Sequence, residues 1–292
     1  MRIGIPRALI YYKLPLFWEV FFENLGFEVL LSPPTNKKIV EQGTKVADHE
    51  TCFSMKVFEG HLLEIGRKVD YLFVPRIKSL RKGYFACPKF WGLPDLAKTL
   101  FPKKILEIEI DLNKKSLKES LFLFSKIFQK EILNISKAFQ KAKEAENSFK
   151  EKQIFAYWQK IKSLKKKVLL LGHPYNLADE YVNLKINESL EKLGLEVITI
   201  NEVPDNFLRK ILHWDFAQEL LEKTKKILKD CSQLSGAIEL SAFQCGCDAV
   251  LKEFIEKEFK NKKIPFLHLI VDEHTEKTGF LTRLEAFVDT LS

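Results

Sequence analysis

The sequence predicts an α/β protein: two Rossmann-like or flavodoxin-like lobes with mainly parallel sheets and a long helical connector. Three observations carry this. Short apolar, strand-like runs alternate with amphipathic helical runs over most of the chain. The alternation breaks once, in the middle, where apolar residues recur every three or four positions. A chain of 292 residues, 46% hydrophobic and 29% charged, is long enough for two separate cores. The organisation that follows is an N-terminal lobe over residues 1–112, a helical connector over 113–165 and a C-terminal lobe over 166–292.

The elements read in order. Arg2 to Ile5 is a strand, Leu14 to Leu25 a helix ended by Gly26, and Glu28 to Ser32 a second strand. Ser54 to Ile65 reads as a helix before Gly66, Asp70 to Pro75 as a strand, and Ile105 to Ile110 as the strand that closes the first lobe. From Ser116 the positions Leu117, Leu121, Phe124, Phe128, Ile132, Ile135, Phe139 and Ala142 form one apolar stripe, which predicts a long amphipathic helix packed against the lobes. A second helical run covers Phe149 to Leu164. The C-terminal lobe begins with the strand Lys167 to Leu171. It continues with a helix from about Asp179 to Leu193, the strands Glu196 to Ile200 and Gly236 to Leu240, a helix from about Asp248 to Phe259, and the strand Pro265 to Val271.

Lys+Arg of 47 against Asp+Glu of 39 leaves a net charge of +8. The lysines gather on the helical stretch from Lys137 to Lys167 and not in an Arg-rich patch interleaved with aromatics, so nucleic acid is not an expected partner. The chain opens directly on the strand-like MRIGIPRAL, and no run of about 18 apolar residues follows, so the expectation is a cytoplasmic protein with no membrane partner.

Five cysteines at irregular spacing make a poor disulfide framework, leaving core thiols, metal ligands or redox groups. Cys52 stands just ahead of the helix at Ser54, Cys87 in the loop after the Asp70 to Pro75 strand, and Cys245 between a strand and a helix. Loop and helix-start positions favour a thiolate. Cys231, at the end of a helical run in LKDCSQL, has no such setting. Three cysteines on separate loops suit an iron–sulfur cluster, with isolated core thiols as the rival reading. Cys245 and Cys247, with a single glycine between them, are too close for the paired-ligand spacing of a zinc site.

The blocks MRIGIPRALIYY, LLSPPTNKKI, CFSMKVFEGH, VDYLFVPR, CPKFWGLPD, GHPYNLADEYVN, FQCGCDA and PFLHLIVDEHTEKTGFLTRLEAFVD span nearly the whole chain. Together they resemble the activase-associated branch of the 2-hydroxyacyl-CoA dehydratase family, which also includes benzoyl-CoA reductase subunits and double-cubane cluster proteins. The resemblance implies an oxygen-sensitive iron–sulfur protein that receives low-potential electrons from a separate ATP-dependent activator protein. It maps the cluster cysteines onto Cys52, Cys87 and Cys245. Cys247 stands where that branch more often has proline, so either member of the C-G-C pair remains a candidate cluster-binding residue. The implied cofactor is a [4Fe-4S] cluster or a larger double-cubane assembly, and three thiolates would leave one iron open. The implied partners are the activator, a second copy or a sister subunit forming a homodimer or heterodimer, and an acyl-CoA or other small-molecule substrate. The chain shows no Gly-rich phosphate loop with its lysine, so it is not expected to be the ATPase itself.

Further groups are weighed as catalytic candidates. His173, in GHPYN, is read either as facing the cluster pocket or as a turn histidine. Asp272, Glu273 and His274 follow a strand and suit proton transfer, although helix capping and loop bracing are the favoured reading. Arg283 is expected to anchor that loop through a carboxylate, and His61 to be structural. The functional expectation is an iron–sulfur protein that carries out or feeds a low-potential reduction or a radical dehydration. The alternative is a non-catalytic cluster-holding or scaffold subunit that docks an activator.

Overall fold

The computed structural model describes residues 1–125 and 132–291, so Phe128 lies outside the described residues, as do the side chains of Phe124 and Ile132. Every paired strand runs parallel to its neighbour. One sheet has the order β2(Glu28–Leu31), β1(Arg2–Ile5), β3(Tyr71–Phe73), β5(Ile105–Leu106). A second has the order β10(Phe266–Val271), β9(Leu234–Ala242), β7(Lys167–Leu171), β8(Glu196–Thr199). A two-stranded parallel pair joins β4(Arg76–Ser79) to β6(Glu109–Asp111). This is the mixed α/β architecture with parallel sheets that the sequence predicts.

The strand expected over Ile105 to Ile110 is in fact two, β5 and β6, in different sheets. The break is matched on the partner side, where Val74 and Pro75 separate β3 from β4. Proline donates no N–H, so the ladder cannot run through it unbroken.

The chain divides into two units. Unit 1 comprises Met1–Asp48, Met55–Phe149 and Leu212–Asp215, and unit 2 comprises His49–Ser54, Lys150–Ile211 and Phe216–Ser292. Two short segments are therefore assigned away from their sequence neighbours: 49–54 counts with unit 2, and 212–215 with unit 1.

In unit 1 an aromatic core covers the sheet. From α1(Phe17–Asn24), Trp18 and Phe22 pack on Phe73 at ring-centroid distances of 4.6 and 4.9 Å. The helix expected from Leu14 begins only at Phe17, because Leu9–Lys13 form a 3-10 turn ahead of it. Helices α2(Lys37–Val46) and α4(Pro88–Leu100) have no counterpart among the predicted elements. Asn36 caps α2, its Oδ1 accepting from the Ile39 N–H at 3.2 Å. Helix α3(Phe53–Ile65) agrees with the expected helix to within a residue.

Helices α2 and α3 touch through glycine. A Cβ on Gly60 would stand 2.0 Å from the carbonyl oxygen of Ile39, and one on Gly43 would meet the carbonyl oxygen of Lys56. No side chain fits at either place without the backbones parting.

Of the long helical stretch, the structure describes α5(Leu117–Ser125) and α6(Ile132–Lys162). The separate second run expected from Phe149 is the end of α6, since neither Gly nor Pro occurs between 132 and 162 to stop it. In the described part of the apolar stripe Leu121, Ile135 and Ala142 are buried, and Phe139 sits edge-on to Phe17 at 5.9 Å. The stripe is core. Among the described residues no helix is long and apolar enough to cross a membrane.

In unit 2 the strand residues Val168 to Leu171, Ala237, Ile238 and Leu240 are fully buried. Helix α10(Gly246–Asn261) places Ile255 and Phe259 in the core, and Phe259 stacks on Phe266 of β10 at 5.5 Å. Helices α9(Asp215–Asp230) and α11(Lys277–Val288) complete it. The single helix expected over Asp179 to Leu193 is not formed. Instead α7(Pro174–Leu177) is followed by turns and then α8(Ile186–Lys192). The cause is local side-chain competition for the backbone. Asp179 Oδ1 accepts from the N–H groups of Tyr181 and Val182, and Asn183 donates to the Leu177 carbonyl at 2.7 Å while accepting from the Lys185 N–H. Leu184 and Lys185 consequently take φ of 53° and 58°.

Two glycine substitutions should separate packing from helix propensity. Gly60→Ala is expected to destabilise by about 1–3 kcal/mol, because the new methyl meets backbone. Gly92→Ala, in α4 with nothing within 4 Å of its Cβ position, should stabilise by about 0.4–1 kcal/mol. Urea unfolding of both variants checks the signs, and a stabilising Gly60→Ala would refute the close approach of α2 and α3.

Candidate functional site

In a sheet buried on both faces, polar side chains meet most readily where the strands end, at the carboxyl edge. In unit 2 the exits of β7 and β9 are drawn together by Gly172. Its φ is +152°, and a Cβ there would stand 2.6 Å from the carbonyl oxygen of Leu240 on β9. His173 comes next, as the N-cap of α7. On β9 the chain leaves at Ala242 and turns through Gln244, in the left-handed region at φ 62°, so that the Cys245 N–H returns to the Ala242 carbonyl at 3.1 Å. Cys245 then caps α10. The segment 49–54 lies alongside within the same unit. The Phe53 N–H donates to the Phe243 carbonyl at 3.1 Å, and the Ser54 hydroxyl donates to Asn176 Oδ1 at 2.9 Å.

These exits assemble a buried group. His173 Nε2 lies 2.8 Å from Asp248 Oδ1, with both side chains almost wholly enclosed. The Cys245 sulfur, a His173 ring nitrogen and an Asp248 oxygen all lie within 4.8 Å of one another. The imidazole is held flat on Tyr175 at 5.0 Å and edge-on to Phe216 at 5.5 Å. Burial pushes the Cys245 thiol well above the ordinary thiol range, the Asp248 carboxylate pushes it further, and nearby Cys52 adds to the rise. The Asp248 backbone N–H works the other way, by donating to the sulfur.

Such a thiol is a poor nucleophile when nothing neutralises it. A bound cation removes that penalty, because it takes the thiolate form directly. Two thiols from separate segments, with an imidazole and a carboxylate beside them, form a donor set that fits soft or borderline metals, iron–sulfur clusters included. Cys52 and Cys245 fit such a group on these grounds, and His173 and Asp248 stand beside them.

A second buried layer lies behind the group. Glu239 and Ser241 alternate along β9, and His268 sits opposite Glu239 on β10, its Nε2 3.1 Å from the Ser241 hydroxyl. On α10, Asp248, Lys252 and Glu256 recur at helical spacing, and their charges act on both Glu239 and His268. Burial, then the Asp248 charge, lifts the Glu239 carboxyl to about 8. The sequence reading passes over Asp248, Glu239, Ser241 and His268. The available signal was a glutamate and a serine two apart in an otherwise apolar parallel strand.

The remaining sequence-predicted residues fall as follows. Cys87 belongs to unit 1, where it caps α4. Cys247 is buried in the first turn of α10 and is not a member of the His173, Cys245, Asp248 group. Cys231, buried beyond the end of α9, has its thiol pushed up by desolvation. In the loop after β10, Asp272 Oδ1 accepts from the Thr275 hydroxyl at 2.7 Å and the His274 N–H at 3.0 Å, a bracing turn, while the His274 side chain is exposed. Glu273 beside it is half-buried. Arg283, expected to anchor this loop through a carboxylate, instead faces solvent on α11 and forms no ion pair among the described residues.

Residues 2–203 match the family described as CoA enzyme activase uncharacterised domain (DUF2229). The chain belongs to this family. The CoA enzyme activase match takes in Cys52, Cys87 and His173 and ends before Cys245. No curated protein matches the chain. Among solved structures, the SBP FpvC of Pseudomonas aeruginosa in complex with Ni2+ is 12% identical, covering 99% of this chain and 94% of that chain at a TM-score of 0.31. GanP, a glucose-galactose binding protein from Geobacillus stearothermophilus, is 11% identical over 100% of this chain and 91% of that chain at a TM-score of 0.23. Likenesses this weak carry no argument about the CoA enzyme activase family.

Glu239 gives the site a measurable pH signature. Its folded pKa of about 8 stands above the ordinary 4.5, so the folded state holds the proton more tightly. The stability this contributes is complete below about pH 4.5 and is lost as pH rises to 8, with a slope of up to about 1.4 kcal/mol per pH unit. Glu239→Gln, which mimics the protonated acid, should match the parent near pH 5 and exceed it at pH 8 in urea unfolding. Equal pH slopes for the two proteins would refute the assignment.

Proposed function

We propose that the chain is an iron–sulfur protein of a CoA-enzyme activation system, which carries out or feeds a low-potential reduction using electrons from a separate ATP-dependent activator. The observation that supports this is the convergence of Cys245, His173 and Asp248 at the carboxyl edge of the unit 2 sheet, with the sequence-distant Cys52 near enough to act on the Cys245 thiol. The family description, CoA enzyme activase, supports the same setting. In this reading Cys52 and Cys245 hold the cluster, and the sequence resemblance adds Cys87 as a third thiolate. When bound, a cluster of this kind supplies a low-potential electron centre and, at an iron left open, a Lewis-acid position. His173 Nε2 stands 2.8 Å from Asp248 Oδ1, so in this reading an imidazole and a carboxylate able to exchange protons lie next to the thiols. The buried strands behind them keep water out. The substrate class by resemblance is an acyl-CoA thioester. A cytoplasmic setting and an assembly with a second copy or a sister subunit belong to the same proposal.

A second reading rests on the convergence of His173, Cys245 and Asp248 themselves: a single cation of the zinc type held by imidazole, thiolate and carboxylate. The two readings differ in what co-purifies. The cluster reading expects iron and acid-labile sulfide in near-equal amounts and a brown colour from anaerobic protein. The cation reading expects about one metal per chain with no sulfide.

The test is an ordering among cysteine-to-serine variants purified without oxygen. Cys52→Ser and Cys87→Ser should each lose most of the iron, since a serine oxygen rarely sustains a cluster. Cys245→Ser should lose iron less completely, because Cys247 lies two residues away, and the Cys245/Cys247 double variant should lose it fully. Cys231→Ser should keep its iron and cost at most about 1 kcal/mol of stability. Unchanged iron in both Cys52→Ser and Cys245→Ser would end the cluster reading. The parent protein alone should not hydrolyse ATP.

A further inference from the structure

Unit 1 has a carboxyl edge of its own, with its own buried polar groups, and none of them is a thiol. In the order β2-β1-β3-β5, the partners of β1 on its two sides are reached by connections in opposite directions, so the end of β1 is a topological switch point where ligands of parallel sheets collect. Arg7 stands two residues beyond β1. Its backbone N–H donates to the Ser32 hydroxyl, just past the end of β2, at 2.7 Å. The turn that follows is tight, with the Ala8 N–H returning to the Pro6 carbonyl at 2.9 Å and Leu9 at φ 50°, a strained value for leucine.

The side chains there are donors that lack acceptors. Arg7 Nε is buried with no hydrogen-bond partner, and its guanidinium joins no ion pair among the described residues. His61, on α3, is fully enclosed. Its Nε2 lies 2.8 Å from the Thr35 hydroxyl in the loop after β2, and its Nδ1 is buried with no partner. Burial and the Arg7 charge push the His61 imidazole down to about 4, so the ring is neutral at neutral pH. In the tautomer whose Nε2 accepts from the Thr35 hydroxyl, the ring proton sits on Nδ1. Glu19 feels the Arg7 charge, accepts from the Tyr11 hydroxyl at 3.1 Å, and has its carboxyl lifted above the usual range by burial.

We propose that Arg7 and His61 form a receptor for an oxyanion, the phosphate or carboxylate group of a small molecule, at the switch point of the unit 1 sheet. A planar guanidinium fork and, in that tautomer, an imidazole N–H at the unpartnered Nδ1, held by a strained turn and a fully packed helix, match the oxygens of such a group and no cation. The inference uses no cysteine and does not depend on the cluster reading, so either can fail alone.

Titration calorimetry on the full chain tests it, with inorganic phosphate as one probe and acetate as the other, at ionic strength held constant with chloride. Saturable binding of at least one probe is expected. Arg7→Gln should weaken it at least tenfold, and Arg7→Lys, which keeps the charge and loses the fork, should fall between. His61→Gln, whose amide still reaches Thr35 but offers nothing at the Nδ1 position, should also weaken it. Preference for phosphate would assign a phosphoryl ligand and preference for acetate a carboxylate. Arg7 is half-exposed, so its variants should fold, and an unchanged circular dichroism melt verifies that. Absence of saturable binding of both probes, or equal affinity in Arg7→Gln, overturns the proposal.

Discussion

The strands β7 and β9 have no wet face, and the rest of the unit 2 site follows from that. A parallel sheet covered on both sides leaves a side chain within it no route to water, so a polar group there must pair or lose its charge. Glu239 shows the cost: its carboxyl is held protonated well above the ordinary range, burial being the largest cause. Groups that must keep their chemistry are confined to the edge where the strands end. Gly172 makes that edge usable. Its missing Cβ lets the β7 exit press against the Leu240 carbonyl, which places His173 within 2.8 Å of Asp248 across the mouth of α10.

Most strands were legible in the sequence because they are short apolar runs between turn residues, a pattern that survives without knowledge of partners, whereas β4, the polar run RIKS, has no predicted counterpart. The helices were less so. Helix α2 begins at an ordinary Asn cap and is short and polar on one side, so the run after LLSPPTN reads as loop. The stretch after Asp179 reads as helix from its periodicity, yet Asp179 and Asn183 spend their side chains on nearby backbone groups and turn the chain instead. Short side-chain bonds of that kind leave no mark on hydrophobic periodicity.

The site was legible in part. Cys52 and Cys245 stand out because a cysteine ahead of a helix, or between a strand and a helix, has an electrostatic reason to be there. Asp248 does not, because an aspartate in a helix's first turn is already explained by the helix dipole. The membership of residues 49–54 in unit 2 could not be read at all. It goes with contacts between distant segments, Phe53 to Phe243 and Ser54 to Asn176, that local pattern does not encode.

The two carboxyl edges carry opposite electrostatics, although the sheets above them are built alike. At the end of β1 stand an arginine that forms no ion pair among the described residues and a histidine that burial and that arginine keep neutral. At the ends of β7 and β9 the excess is of acceptors, since Asp248 raises both Glu239 and Cys245 and, among the described residues, no arginine or lysine charge counters the rise of the thiol. A buried excess of either sign is costly while unanswered, and a ligand of the other sign relieves it. The same sheet topology therefore yields an edge with a positive excess in unit 1 and one with a negative excess in unit 2. The difference lies in which side chains follow the strands, Arg7 and Thr35 in one case, His173 and Cys245 in the other, and not in the fold that presents them.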